Sequence, residues 1–359
     1  MRASKPPLYI FLYLIFVGNA YCVPSQITID RQSVIDGNTI TVQGEDFGAG
    51  DSSPCIWDNF EEGINGTSIS SYPARGTWSL ISNPTPSLYS TSFAHSGDQS
   101  AVTPSHHTGY ANIRFNGLEN ATRIYWSFWF RFNISGVTGF QTKLMQLWGN
   151  GPDQCDYGPG VMSGGFSDSW FASYNIASGD DCTIGKIQKS YGFTPAQDTW
   201  HYMEMILERS SDYGVADGTI IIRIDNRDVY SHSGDILTRL NEQDWRSALF
   251  FYGFTNDNGE GSLAIDDAYI NDSWSRIVMG NDENYSQCTS LNMQPANSWS
   301  DTMIKFTVNT GAFKEGNTAY LFVIDSDGNV SDGFPVTIGE NSGVPAPGAP
   351  AVPVNLRAE

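Results

Sequence analysis

YWSFWFRF, residues 125–132, alternates two kinds of side chain. Its even positions, Trp126, Phe128, Phe130 and Phe132, are apolar. Its odd positions, Tyr125, Ser127, Trp129 and Arg131, are mixed. Successive strand residues point to opposite faces, so one face is core and the other carries aromatic and polar groups together. Neighbouring segments repeat the pattern. TKLMQLW (142–148) sets Met145 and Leu147 against Gln146 and Trp148. WHYMEMILE (200–208) sets Met203, Met205 and Leu207 against Trp200, Tyr202, Glu204 and Glu208. TIIIRID (219–225) sets Ile220, Ile222 and Ile224 against Ile221, Arg223 and Asp225. ALFFY (248–252) and LAIDDAYI (263–270) are further strands, and only 234–244 suggests a short helix or loop crossing. Many short strands separated by Gly and Asn turns predict an all-β sandwich or jelly roll.

The flanks are also strand-like. Residues 27–29 and 38–42 alternate about an Asp36-Gly37 turn, and 303–308, 319–324 and 335–338 follow near the other end, with a hairpin turn at Asp327-Gly328. DGNTITVQGEDFG (36–48), SWSDTMIKFTV (298–308) and AYLFVIDSDGNVSDGFPVTIG (319–339) resemble the two ends of an IPT/TIG immunoglobulin-like domain. SFWFRF (127–132), TWHYMEM (199–205), DGTIIIRIDNRDVY (217–230) and IDDAYI (265–270) together resemble a concanavalin A-like (LamG-like) jelly roll. The two resemblances imply a jelly roll at 55–287 inserted into an Ig-like sandwich made of 23–54 and 288–339. Insertion is tolerated where the guest's termini lie close together. The tail SGVPAPGAPAVPVNLRAE (342–359) is Pro/Ala-rich, so 340–359 reads as a linker. PVNLRAE resembles the first strand of a fibronectin type III module, which implies further C-terminal domains.

The chain has 359 residues, 19 Lys+Arg against 39 Asp+Glu and a net charge of −20, with 13% aromatics. An acidic excess argues against a nucleic-acid partner. Arg2 and Lys5 precede an apolar run of ten residues, Leu8 to Val17, and small residues follow. Residues 1–22 therefore read as a signal peptide. The run is about half of the ~20 residues needed to span a bilayer, so the expected product is secreted or cell-surface, without membrane insertion of the mature chain. Export makes Cys55, Cys155, Cys182 and Cys288 disulfide candidates, with three pairings open. The insertion reading favours Cys55–Cys288, as a staple where the guest joins its host, with Cys155–Cys182.

The mixed faces carry the functional expectation. Aromatic rings stack on sugar C–H faces, and Arg, Gln and Glu bond hydroxyls. Tyr125, Trp129, Arg131, Gln146, Trp148, Glu204 and Arg223 are the expected carbohydrate-binding residues, on one concave surface. A hydrolase needs two carboxylates flanking the bond. Glu204 and Glu208 share a face, but four strand residues span ~13 Å. A lyase acting on a uronic-acid polymer needs a base and cations. Resemblance to alginate-lyase-like jelly rolls would give Arg131 and Gln146 such roles, yet Trp148 stands where the family's Q-[IV]-H has His. No catalytic set and no metal-ligand set is evident, and a single structural Ca²⁺ is the one cofactor left open. His106-His107 and Asp325-x-Asp327-Gly328-Asn329 read as turns. The expectation is thus a non-catalytic protein binding a polysaccharide, glycan or matrix. A polysaccharide lyase and a structural adhesion module are the alternatives.

Overall fold

The computed structural model describes residues 23–339 apart from 49, 51–52, 82–85, 105–112, 135–140, 150–158, 167–168, 177–186, 191, 240–244 and 256–260. The expected leader, linker, Cys155–Cys182 bond and His106-His107 turn lie outside the described residues, as does the Trp148 side chain.

The described residues form an all-β protein of four sheets. The outer sheet has seven strands in the order Ile187–Ser190, Ser169–Ile176, Pro159–Phe166, Gln141–Gly149, Trp245–Thr255, Ile113–Asn116 and Leu80–Ile81. The middle sheet runs Arg227–Ile236, Gly218–Ile224, His201–Glu208, Arg123–Ile134, Gly261–Asn271, Ser100–Pro104 and Leu88–Ser90, with Ile56–Asp58 also on Gly261–Asn271. A five-stranded sheet runs Ser33–Val34, Phe334–Ile338, Thr318–Ile324, Arg276–Gly280 and Leu291–Gln294. The last sheet runs Ser25–Ile29, Thr39–Glu45, Met303–Thr307 and Ala296–Ser300.

Three apolar layers separate these sheets. The first holds Trp126, Phe128, Phe130, Met145, Leu147, Met203, Met205, Leu207, Ile220, Ile222 and Ile224 between the outer and middle sheets. Alternation assigned every one of these to core. The last holds Val42, Ile277, Met279, Ile304, Phe306, Leu321 and Val323 between the two smaller sheets. The layer between sets Tyr125, Trp129, Tyr202, Ile206 and Tyr269 of the middle sheet against Val278, Leu291, Met293, Phe322 and Ile324 of the five-stranded sheet. Phe322 and Ile324 thus pack on one side of their strand and Leu321 and Val323 on the other. A strand buried on both faces reads as a continuous apolar run, and YLFVI is one. Burying each such side chain contributes roughly 1.5–3 kcal/mol.

Thr39–Glu45 pairs antiparallel with Met303–Thr307, so residues before Cys55 and after Cys288 are neighbouring strands. The chain rejoins the smaller sheets at Arg276, ahead of the boundary after 287 set by the sequence reading, because Arg276–Gly280 pairs with Thr318–Ile324. Of the short helix or loop crossing expected at 234–244, residues 234–236 close the Arg227–Ile236 strand, 237–239 are loop, and 240–244 lie outside the described residues. The Cys55–Cys288 bond is not made, and neither cysteine is in a disulfide. Cys55 opens the chain's path onto the middle sheet. The Cys288 Sγ is turned into its own 281–288 turn, 3.4 Å from the Asp282 carbonyl and 3.6 Å from that of Asn284.

Candidate functional site

The seven expected sugar-binding residues do not share one surface. Tyr125, Trp129, Arg131, Glu204 and Arg223 stand on the middle sheet, whereas Gln146 and Trp148 stand on the outer sheet. The first group lies on the face that meets the five-stranded sheet. Tyr125 and Glu204 are fully buried and Trp129 is 6% exposed, so a saccharide cannot reach them.

That face is a sealed polar cluster. The Tyr125 hydroxyl donates to Glu204 Oε1 at 2.7 Å and lies 3.1 Å from the Tyr202 hydroxyl. Arg276 lies over the Tyr125 ring at 3.9 Å and donates to the Tyr285 hydroxyl at 3.4 Å. Burial, then the Glu204 charge, holds both the Tyr125 and the Tyr202 phenol well above the ordinary range. Burial works against the Arg276 cation, but Tyr125, Tyr285 and Glu204 outweigh it and leave it raised. Arg223 pairs with Asp228 at 2.7 Å. Arg131 pairs with Asp198 at 2.5 Å and covers the Phe93 ring at 4.0 Å. Alternation reads the mixed character of this face correctly. It cannot show that a second sandwich covers the face.

A neighbouring acidic pair is equally enclosed. Asp266 accepts from the backbone N–H groups of His95, Ser96 and Asp267, and Asp267 meets His95 Nδ1 at 3.1 Å. Burial, then the Asp267 charge, raises Asp266 well above the carboxylate range. In the Asp327-Gly328 hairpin, Asp325 Oδ1 accepts from the N–H groups of Asp327 and Asn329, and Oδ2 accepts from Asn329 Nδ2. Both oxygens serve the turn. Among the described residues no group of three His, Cys, Asp or Glu is placed to hold a metal ion.

The outward face of the outer sheet is arranged differently. Register sets Gln146 opposite Leu249, Leu249 opposite Arg114, and Arg114 opposite Leu80. One step along, Trp148 stands opposite Ser247, and Ser247 opposite Asn116. The intervening residues Met145, Leu147, Ala248, Phe250 and Ile113 belong to the core layer, so Gln146, Leu249, Arg114, Ser247 and Asn116 point away from it. Gln146 and Arg114 are half-buried, Leu249 is fully buried and Leu80 is 41% exposed. Ser247 donates to Asn116 Oδ1 at 2.6 Å. The Gln146 Oε1 is buried and has no hydrogen-bond partner among the described residues. A buried polar atom without a partner costs ~1–3 kcal/mol, and a ligand donor would relieve it. Sequence reading found Gln146 but not Arg114, Asn116, Ser247 or Leu249. The alternation in IRFN (113–116) was the available signal.

No protein-family model matches the chain, and no curated protein matches it. Solved structures do. An endo-β-1,4-glucuronan lyase from the fungus Trichoderma reesei aligns with TM-score 0.46 and 13% identity, over 61% of this chain and 95% of that one. Alginate lyase Aly36B aligns with TM-score 0.44 and 15% identity, over 62% and 98%. The cellulose-induced protein Cip1 aligns with TM-score 0.39 and 18% identity, over 61% and 97%. Identities of this size carry no residue's role across to this chain. No helix among the described residues is long and apolar enough to cross a membrane.

Proposed function

We propose that the chain is a secreted, non-catalytic protein that binds a polysaccharide or glycan along the outward face of the outer sheet. The carrying observation is the half-buried Gln146, whose Oε1 has no partner among the described residues, in one cross-strand row with Arg114. An amide oxygen accepts from a sugar hydroxyl, and a guanidinium donates to hydroxyl or carboxylate oxygens; Leu249 between them is fully buried and only spaces the two groups. Such a mixture suits saccharide recognition. The reading includes an exported leader at 1–22 and an IPT/TIG-like host module built from the two ends of the chain. The lyase named in two of the structural likenesses is the second reading. Arg114, in the same row as Gln146 and one strand beyond Leu249, would neutralise a uronic carboxylate, as that reaction requires.

The test is a glycan array with the full chain and two variants, Gln146→Ala and Trp129→Ala. Binding that falls about tenfold in Gln146→Ala, equivalent to ~1.4 kcal/mol, and stays unchanged in Trp129→Ala supports this face. Binding unaffected by Gln146→Ala removes it. Hits among uronic-acid polymers are then incubated with the chain and followed for unsaturated-product absorbance. A rising signal replaces the non-catalytic reading with the lyase. An array without any hit leaves the structural adhesion module.

A further inference from the structure

Six Asn-x-Ser/Thr triplets occur, at Asn65, Asn120, Asn133, Asn271, Asn284 and Asn329. Such triplets are acceptors for N-linked glycans where the chain meets the transferring enzyme. The fold divides them into two sets by what it does with the amide nitrogen, the atom that would carry the sugar.

In three of them the nitrogen is used or enclosed. Asn133 Nδ2 donates to both oxygens of Asp198, at 2.8 and 2.9 Å. Asn329 Nδ2 donates to Asp325 Oδ2 at 2.8 Å, inside the hairpin turn. Asn271 is 2% exposed and pairs with Tyr125 within the middle sheet, next to the sealed cluster. An oligosaccharide on Asn271 would have to pass through the layer between the two sandwiches.

The other three are exposed, and in two of them, Asn65 and Asn284, the fold holds the amide oxygen and not the nitrogen. Asn65 is exposed at a loop tip, and its Oδ1 accepts from Thr91 N at 3.2 Å. Asn284 is exposed ahead of a short 3-10 turn, and its Oδ1 accepts from Ser286 N at 3.1 Å and from the Ser286 hydroxyl at 2.9 Å. Asn120 is exposed in the turn leading into Arg123–Ile134, with Thr122 exposed beside it. None of the three stands in the Gln146–Arg114 row.

We infer that Asn65, Asn120 and Asn284 are N-glycan acceptor sites, and that the folded chain is incompatible with a glycan on Asn133, Asn271 or Asn329. The donor class is a polyprenyl-pyrophosphate-linked oligosaccharide. The asparagine nitrogen attacks the anomeric carbon, a C–N bond forms, and the C–O bond to pyrophosphate breaks. The nitrogen's proton leaves to the enzyme's base, the lipid pyrophosphate departs, and nothing is oxidised or reduced. Because sugar is added to the emerging chain, the three closed sites act as a filter, and only chains unmodified there complete the fold.

The full chain, led by a secretion signal of a glycosylating host, is collected from both medium and cells. Amidase release in heavy-oxygen water converts each glycosylated Asn to labelled Asp, which peptide mass spectrometry counts. The secreted, protease-resistant fraction should carry label at Asn65, Asn120 and Asn284 and none at the other three. Thr67→Ala, Thr122→Ala and Ser286→Ala should each remove one glycan without changing the melting temperature by more than a few degrees. Occupancy below half at any of the three open sites in either fraction overturns the inference. So does a labelled Asn133, Asn271 or Asn329 in the protease-resistant fraction.

Discussion

Asp58 shows how one buried side chain sets a pH dependence. Its carboxylate accepts from Trp78 Nε1 at 2.7 Å and from Phe60 N at 2.9 Å, and it is 1% exposed. Burial pushes its carboxyl from 3.8 to about 7, and the two hydrogen bonds offset this only in part. The folded chain therefore binds this proton more tightly than the unfolded chain. Its contribution to stability is greatest below 3.8 and falls as pH rises to about 7. Asp58→Asn cannot ionise, so urea midpoints at pH 5 and pH 8 should differ less in the variant than in the parent, by roughly 2–4 kcal/mol. Equal differences would mean that Asp58 does not titrate in this window. Glu204 gives a second expectation. Removing it leaves the buried Tyr125 hydroxyl and Arg276 without their acid, and Glu204→Ala should cost about 3–5 kcal/mol in chemical denaturation. The sequence shows Glu204 as one member of a mixed strand face, but its burial follows from residues some seventy positions later. Pattern reading along a single strand has no access to that contact.

The hairpin joining Gly218–Ile224 to Arg227–Ile236 connects local backbone chemistry to docking. Asp225 and Asn226 both have positive φ, 50° and 59°, as a tight two-residue turn requires. Asn226 Nδ2 then donates to the carbonyls of Tyr285, Ser286 and Cys288, at 3.2, 3.2 and 3.1 Å, on the other sandwich. Asn226→Gly keeps the turn and loses the contacts, about 1 kcal/mol. Asn226→Ala loses both and should cost a further ~1–2 kcal/mol. Equal losses in the two variants would show that the turn is unstrained. At the foot of the same hairpin, His201 Nδ1 meets Asp225 at 2.7 Å and Nε2 meets the Ala196 carbonyl at 2.9 Å. Burial lowers the His201 pKa, but Asp225 and the carbonyl outweigh it, and the net shift is upward. The stabilisation is thus complete below the ordinary value of 6.5 and is lost as pH rises through the folded value. His201→Gln should narrow the stability gap between pH 6 and pH 9 in a denaturant series. Strands and turns of this kind were legible because alternation and Asp/Asn/Gly pairs are local signals. The Arg114 strand was missed because only four residues, IRFN, carry its alternation.

The stacking of four sheets makes the two sandwiches mechanically one body. Val278, Phe322 and Ile324 press on Tyr125, Trp129 and Tyr202, while Arg123, held by Glu208 of its own sheet at 2.8 Å, binds Asp327 at 2.6 Å across the junction. This arrangement reverses the use expected for the aromatic face. The rings that suit a sugar also suit a packed interface, and composition alone cannot separate the two. The deciding fact is that Arg276–Gly280 leaves the middle sheet after only four residues, which forces the five-stranded sheet onto that face. Neither sandwich can then unfold without exposing the shared layer of the other, so calorimetry of the full chain should show a single transition. Phe322→Ala deletes a ring from that layer and should lower the transition by an amount corresponding to about 3–5 kcal/mol, still as one event. Val278→Asp inserts a carboxylate into the apolar layer and should separate the two sandwiches, giving two transitions in place of one. A parent that already melts in two steps, or a Val278→Asp variant that melts in one at the parent's temperature, would mean that the sandwiches touch without supporting each other. The free aromatic face of the middle sheet would then again be available to a ligand.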